Sequence, residues 1–154
     1  MLTIEEINEI EKEAAHYPRR DAVSIDALKI VQRHRGCVSD ESLRDIAGHL
    51  GMSPTDLDSI ATFYNLIFRK PVGRHVIMAC DSVSCWIMGG ERVRERLQER
   101  LGVGMGETTP DNRFTLLPIV CLGCCDHAPA MMVDDNLHSD LDPQKIDQEL
   151  EKYK

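Results

Sequence analysis

Five of the six cysteines in this chain of 154 residues fall in two short sets, Cys80 with Cys85 and Cys121 with Cys124 and Cys125. Four residues separate Cys80 from Cys85, two separate Cys121 from Cys124, and three separate Cys121 from Cys125. Three chemistries use thiols spaced in this way. Zinc takes four thiolates in a tetrahedron, for which "CLGC" supplies one knuckle and C-x4-C a loose second. Dithiol exchange uses C-x-x-C, which "CLGC" matches, but it leaves Cys80 and Cys85 idle. An iron–sulfur cluster takes four thiolates, and a 2Fe–2S rhomb spreads its ligands enough to accept wider spacings such as C-x4-C. Spacing favours the third. The plain alternative is a set of small buried hydrophobes, and Cys37, just after a helix-ending glycine, reads as structural.

The elements around these thiols must bring two distant sets together. "RHVIMAC" reads as a strand ending on Cys80, and "RFTLLPIVC" as a second ending on Cys121. If the two strands share a sheet, the 35 residues between Cys85 and Cys121 shrink to a short distance. Ile87, Val93, Leu97 and Leu101 predict one helix between them, with a solvated charged face. "AMMVDD" reads as a third strand, "NLHSDL" as a turn into a fourth, and Asp142 and Pro143 open a last helix carrying Ile146 and Leu150. The glycines of "GVGMG" follow a helix and lack phosphate-loop spacing, so they read as a connector. Backbone N–H groups of Asp81, Ser82, Ser84, Leu122 and Gly123 are expected near the sulfurs, where donors stabilise a reduced cluster. Gly123 permits a tight turn, and Pro129 stops the loop from continuing into helix.

The first half reads as helices. Thr3 with Glu6 forms a capping box, and Ile4, Ile7, Glu11 and Ala14 mark one face. Ser24 is expected to cap a second helix with Leu28 and Val31 inward and Gly36 as its stop. Ser39 opens a third, with Leu43, Ile46, Ala47 and Leu50 on one face and Gly51 at its end. "SPTD" opens a fourth. The boundary between the halves falls near residues 65–73.

Composition narrows the function. Net charge is −8, from 26 acidic and 18 basic residues, which disfavours phosphate backbones and anionic membranes as partners. "ESLRDIAGHLGMSPTDLDSIATF" has the cadence of a helix-turn-helix, but its second helix carries Asp56 and Asp58 and no Arg or Lys, so nucleic acid is excluded. The acidic N-terminus does not read as a signal peptide, and the longest apolar run, "LLPIVCLG", is too short to span a bilayer, so an intracellular chain without direct membrane insertion is expected. Thiols in a reducing compartment point to metal or redox chemistry rather than disulfides. There is no dinucleotide fingerprint, P-loop or nucleophile–base pair, hence no catalytic residue and no hydride transfer by this chain alone.

"ATFYNLIFRKPVGRHVIMACDSVSC" followed by "GETTPDNRFTLLPIVCLGCCDHAPAMMVDD" resembles the thioredoxin-like 2Fe–2S subunit of bacterial respiratory NADH:quinone oxidoreductase, complex I. The motifs that carry the likeness are C-x4-C…C-x3-C, A-T-F-Y and C-L-G-x-C-D-x-x-P, and it runs from about residue 20 to the C-terminus. The resemblance implies an α+β chain: an N-terminal helical bundle (residues 1–70), then a thioredoxin-like α/β domain (residues 71–154). It implies one 2Fe–2S cluster on Cys80, Cys85, Cys121 and Cys125, with Cys124 at the variable position. It implies an electron-transfer role beside a partner subunit that binds NADH and alone carries FMN, within the peripheral arm of complex I on the cytoplasmic side of the inner membrane. Similar subunits serve NAD-linked formate dehydrogenases and hydrogenases, which are the alternative hosts.

Other residues read more plainly. His127 is a loop residue or a donor beside the cluster rather than a Rieske-type ligand; His75 and His138 are surface or strand-end histidines. Trp86 follows a ligand and either shields the cluster or packs on the first helix. Phe63, Tyr64 and Phe68 belong to the core or to a partner contact.

Overall fold

The computed structural model describes residues 1–153. The chain folds as two compact units, Met1–Pro71 and the remainder from Val72. The first unit is helical, with α1 at Ile4–Ala14, α2 at Ser24–Arg35, α3 at Asp40–Leu50 and α4 at Pro54–Phe63. The Thr3–Glu6 capping box is present, and Ser39 and Ser53 each accept a first-turn backbone N–H. Gly36 and Gly51 end α2 and α3 at φ of 81° and 70°, where a Cβ would be strained. Leu28, Val31, Ile46 and Leu57 fill the core.

Two expectations change here. On α1 the inward residues are Glu6 and Ile10; Ile7 and Ala14 are half-buried, while Ile4 is 77% exposed and Glu11 faces solvent. The apolar pattern missed Glu6 because a carboxylate is buried only with a partner. Arg35 supplies one, donating from Nε and Nη2 to the two Glu6 oxygens at 2.7 and 2.6 Å. Ser24 does not cap α2. A 3-10 turn over Arg20–Val23 runs into that helix, and Ser24 is its buried first residue.

The second unit holds a four-stranded sheet in the order β2-β1-β3-β4, with β1 at His75–Cys80, β2 at Phe114–Ile119, β3 at Met131–Val133 and β4 at Asn136–His138. β1 runs parallel to β2 and antiparallel to β3. A parallel neighbour demands a crossover, and helices α5 (Val83–Ile87) and α6 (Gly90–Leu101) provide it. Val76 to Cys80 are all buried, as befits a central strand covered on both faces rather than an alternating one. Ile77, Leu97, Leu116, Met131 and Val133 form the core with Ile146 and Leu150 of α7 (Pro143–Leu150), which Asp142 caps.

The crossover is not the single helix predicted from Ile87, Val93, Leu97 and Leu101. It breaks at Met88 and Gly89, the latter at φ 95°, and leaves Ile87 69% exposed. The break lets α6 start against α5, where a Cβ at Gly90 would stand 2.7 Å from the Cys85 carbonyl oxygen. β2 stops at Ile119, two residues short of Cys121. Asn136–His138 are the fourth strand itself; the turn is Asp134 and Asp135, with Asp134 at φ 52°.

Candidate metal centre

The sheet accounts for the meeting of the two cysteine sets. Cys80 closes β1, in register with Ile119 at the end of β2, and the Asp81 N–H donates to the Ile119 carbonyl at 2.8 Å. The chain after β1 therefore runs beside the chain after β2. Cys85 follows on α5, Cys121 sits in the loop beyond β2, and Cys125 opens a 3-10 turn over Cys125–His127. Cys80 and Cys85 are buried, whereas Cys121 and Cys125 are exposed. Cys121 Sγ and Cys125 Sγ lie 3.9 Å apart. Cys80 and Cys85 belong to one buried cluster with Ala128 and Ala130, and the bond from Asp81 to Ile119 sets that cluster beside the loop of Cys121 and Cys125.

Their electrostatics follow from this crowding. Burial first, and then the Cys80 thiol, push the Cys85 thiol up to about 11, against a backbone bond from Ala130. The Cys121 thiol is lowered, first by the Gly123 N–H that donates to its sulfur at 3.3 Å and then by Cys125. At Cys125 the largest single effect is the Ser84 hydroxyl, which pulls downward. Cys121, burial and Cys80 together outweigh it, and the net direction is up. Thiols crowded beside one another suit a cation, which replaces their protons.

Among the described residues no group of three or more His, Cys, Asp and Glu is arranged to hold a metal ion as the side chains stand. The fit therefore rests on the chemistry of the donors. A Cys80–Cys85 pair beside a Cys121–Cys125 pair offers four soft sulfurs two by two, the complement that a 2Fe–2S cluster takes. The two readings built on C-x-x-C, a zinc knuckle and dithiol exchange, need Cys124 as the partner of Cys121. Cys124 instead packs half-buried against the apolar cluster of Cys80, Cys85, Ala128 and Ala130. "CLGC" also opens no α-helix, only the short 3-10 turn.

Several expected neighbours hold other places. The Asp81 N–H is spent on the sheet and its carboxylate pairs with Arg94. His127 is exposed, and its Nδ1 is 3.1 Å from Asp140. His75 and His138 do stand at strand ends, and His138 is largely buried against Tyr153 and Glu149. Trp86 is 60% exposed. Phe63 and Tyr64 are likewise exposed, edge to face at 5.2 Å, with Phe68 half-buried. Sequence reasoning missed the electrostatic effect of the Ser82 and Ser84 hydroxyls on the Cys121 and Cys125 thiols, and that of the Ala130 backbone on the Cys85 thiol. The S-x-S-C spacing was the available signal.

A mixed four-stranded sheet flanked by helices, with two cysteine pairs at the ends of neighbouring parallel strands, defines an α+β protein of thioredoxin-like type built to hold iron and sulfur. The family model for thioredoxin-like [2Fe-2S] ferredoxins matches residues 10–154, and the chain belongs to that family. It is 50% identical over 153 residues to the E subunit of NADH-quinone oxidoreductase from Pseudomonas aeruginosa, covering 99% of this chain and 92% of that one. The corresponding E subunit of Escherichia coli is 49% identical over the same span and coverage. Among solved structures, a chain of an NAD+-reducing [NiFe]-hydrogenase superposes with a TM-score of 0.68 at 25% identity, over 82% of this chain and 22% of that one.

Proposed function

We propose that this chain is the electron-transfer subunit of an NADH:quinone oxidoreductase and that Cys80, Cys85, Cys121 and Cys125 hold its 2Fe–2S cluster. The observation that carries the reading is the convergence of the two cysteine pairs from neighbouring strand ends. When bound, such a cluster accepts and returns one electron at a time. The protein's part is to present four sulfurs, two buried and two exposed, and to aim the Gly123 N–H at one of them. The exposed pair is the side on which an electron partner has access.

The partner in this reading is the subunit that binds NADH and FMN, within the peripheral arm of complex I on the cytoplasmic side of the inner membrane. Two features support a partner: the relatives are named as one subunit of a larger oxidoreductase, and five large apolar residues, Val83, Trp86, Ile87, Met88 and Val120, stand exposed on α5 and beyond β2. No helix among the described residues is long and apolar enough to cross a membrane. The hydrogenase likeness favours a second host, an NAD-linked soluble enzyme, but at 25% identity against about 50% for the NADH-quinone oxidoreductase relatives.

The test is reconstitution. The chain alone should give no NADH oxidation with artificial acceptors, and activity should appear when the flavin subunit is added. Sustained NADH turnover by the chain alone would contradict the division of labour.

A further inference from the structure

α5 carries Cys85 but does little to hold it. The helix has only five residues, too few to be stable by itself, and Cys85 is its one buried residue. Its fixed points lie at the two ends of the segment, and both lead to α6. That helix is a firm mount, because Val93 and Leu97 are buried in the core of this unit. At the far end, Gly90 opens α6 so close to Cys85 that an added Cβ would stand 2.7 Å from the Cys85 carbonyl oxygen. At the near end, Arg94, the neighbour of Val93, donates from Nη1 to the Asp81 carboxylate. Asp81 directly follows Cys80, and the bond from its N–H to the Ile119 carbonyl fixes its backbone to the sheet. The Arg94 side chain is 26% exposed and that of Asp81 50%, so water screens the pair only in part.

We propose that Asp81 and Arg94 form a clasp that positions the first cysteine pair and slows the escape of iron from it. The inference rests on the four-cysteine assignment above. A segment fastened at both ends has few arrangements open to it, which limits how far Cys85 can move relative to Cys80. With the clasp open, α5 is fastened to α6 only where Gly90 meets Cys85. A thiolate that swings away from iron leaves that iron open to a competing ligand. Neither Asp81 nor Arg94 touches the cluster in this scheme; they are positioning residues that act through the backbone joining Cys80 to Cys85.

The experiment uses the full chain with its cluster, prepared without oxygen. Iron release to an excess of chelator is timed by the loss of visible absorbance, with iron and labile sulfide measured at the start in every sample. Arg94→Gln should release iron about fivefold faster than wild type, the most that a partly exposed ion pair supports. Asp81→Asn should do the same and carries the test if Arg94→Gln does not fold. The double variant should be no faster than either single one, because one clasp is lost only once. Arg94→Lys keeps the charge and should release iron more slowly than Arg94→Gln. Wild-type release rates in both single variants, or effects that multiply in the double variant, would overturn the inference while leaving the ligand assignment intact. A wild-type chain that binds no cluster would overturn the assignment and the inference with it.

Discussion

Cys121 Sγ faces Cys125 Sγ at 3.9 Å, across a turn in which Cys124, between them in sequence, packs half-buried against Cys80, Cys85, Ala128 and Ala130. Adjacent residues on this turn serve different surroundings, and that separates three thiols which spacing leaves equivalent. Replacing each by serine should therefore give unequal results. Cys121→Ser and Cys125→Ser should lose iron or hold it in a labile form, because a serine oxygen is a harder ligand than a thiolate. Cys124→Ser should keep full iron content. Iron and sulfide assays on the three variants check this; loss from Cys124→Ser with retention in Cys125→Ser would reverse the assignment.

The Glu6–Arg35 pair predicts a pH-dependent helical unit. Glu6 is 1% exposed, and its carboxyl is held down from 4.5 to about 2, chiefly by the Arg35 guanidinium and against the cost of burial. A depressed carboxylate contributes stability that is fully present above its unfolded value and lost as pH falls through its folded one. The contribution is about 3 kcal/mol at pH 7. Glu6→Gln should lower unfolding stability by roughly that amount at pH 7, and the gap to wild type should close as pH falls from 4.5 towards 2. Urea unfolding followed by circular dichroism at several pH values measures it.

Gly90 should tolerate no side chain. A Cβ there would stand 2.7 and 2.8 Å from the Cys85 carbonyl oxygen and carbon, and these are backbone atoms that cannot swing aside. Gly90→Ala should displace α5, costing about 1–3 kcal/mol, and should loosen the hold on iron through Cys85. A chelator challenge compares the rates of iron release, which should be faster in the variant.

Much of the helical unit was legible because its signals are local. Thr3, Ser39 and Ser53 cap through bonds within one turn, and Gly36 and Gly51 stop helices by their own φ. The misses were settled by contacts that the apolar pattern does not register. Glu6 is buried because Arg35 reaches it from α2, and one crossover helix becomes two where Gly90 meets Cys85. In the candidate centre the residue types and the two strand ends could be read from spacing. The choice between Cys124 and Cys125 came from resemblance, since C-x-x-C and C-x3-C are equally possible on an unfolded turn. The effect of the Ser82 and Ser84 hydroxyls on Cys121 and Cys125 escaped notice because those thiols lie on the neighbouring strand's loop.

The most direct measurement is the metal and sulfide content of the purified chain, prepared without oxygen. Four cysteines holding a 2Fe–2S cluster predict about two irons and two acid-labile sulfides per chain. After reduction, the sample should give the paramagnetic signal of a single unpaired electron. Stoichiometric zinc without labile sulfide in the same preparation would contradict the assignment of Cys80, Cys85, Cys121 and Cys125, and with it the electron-transfer role.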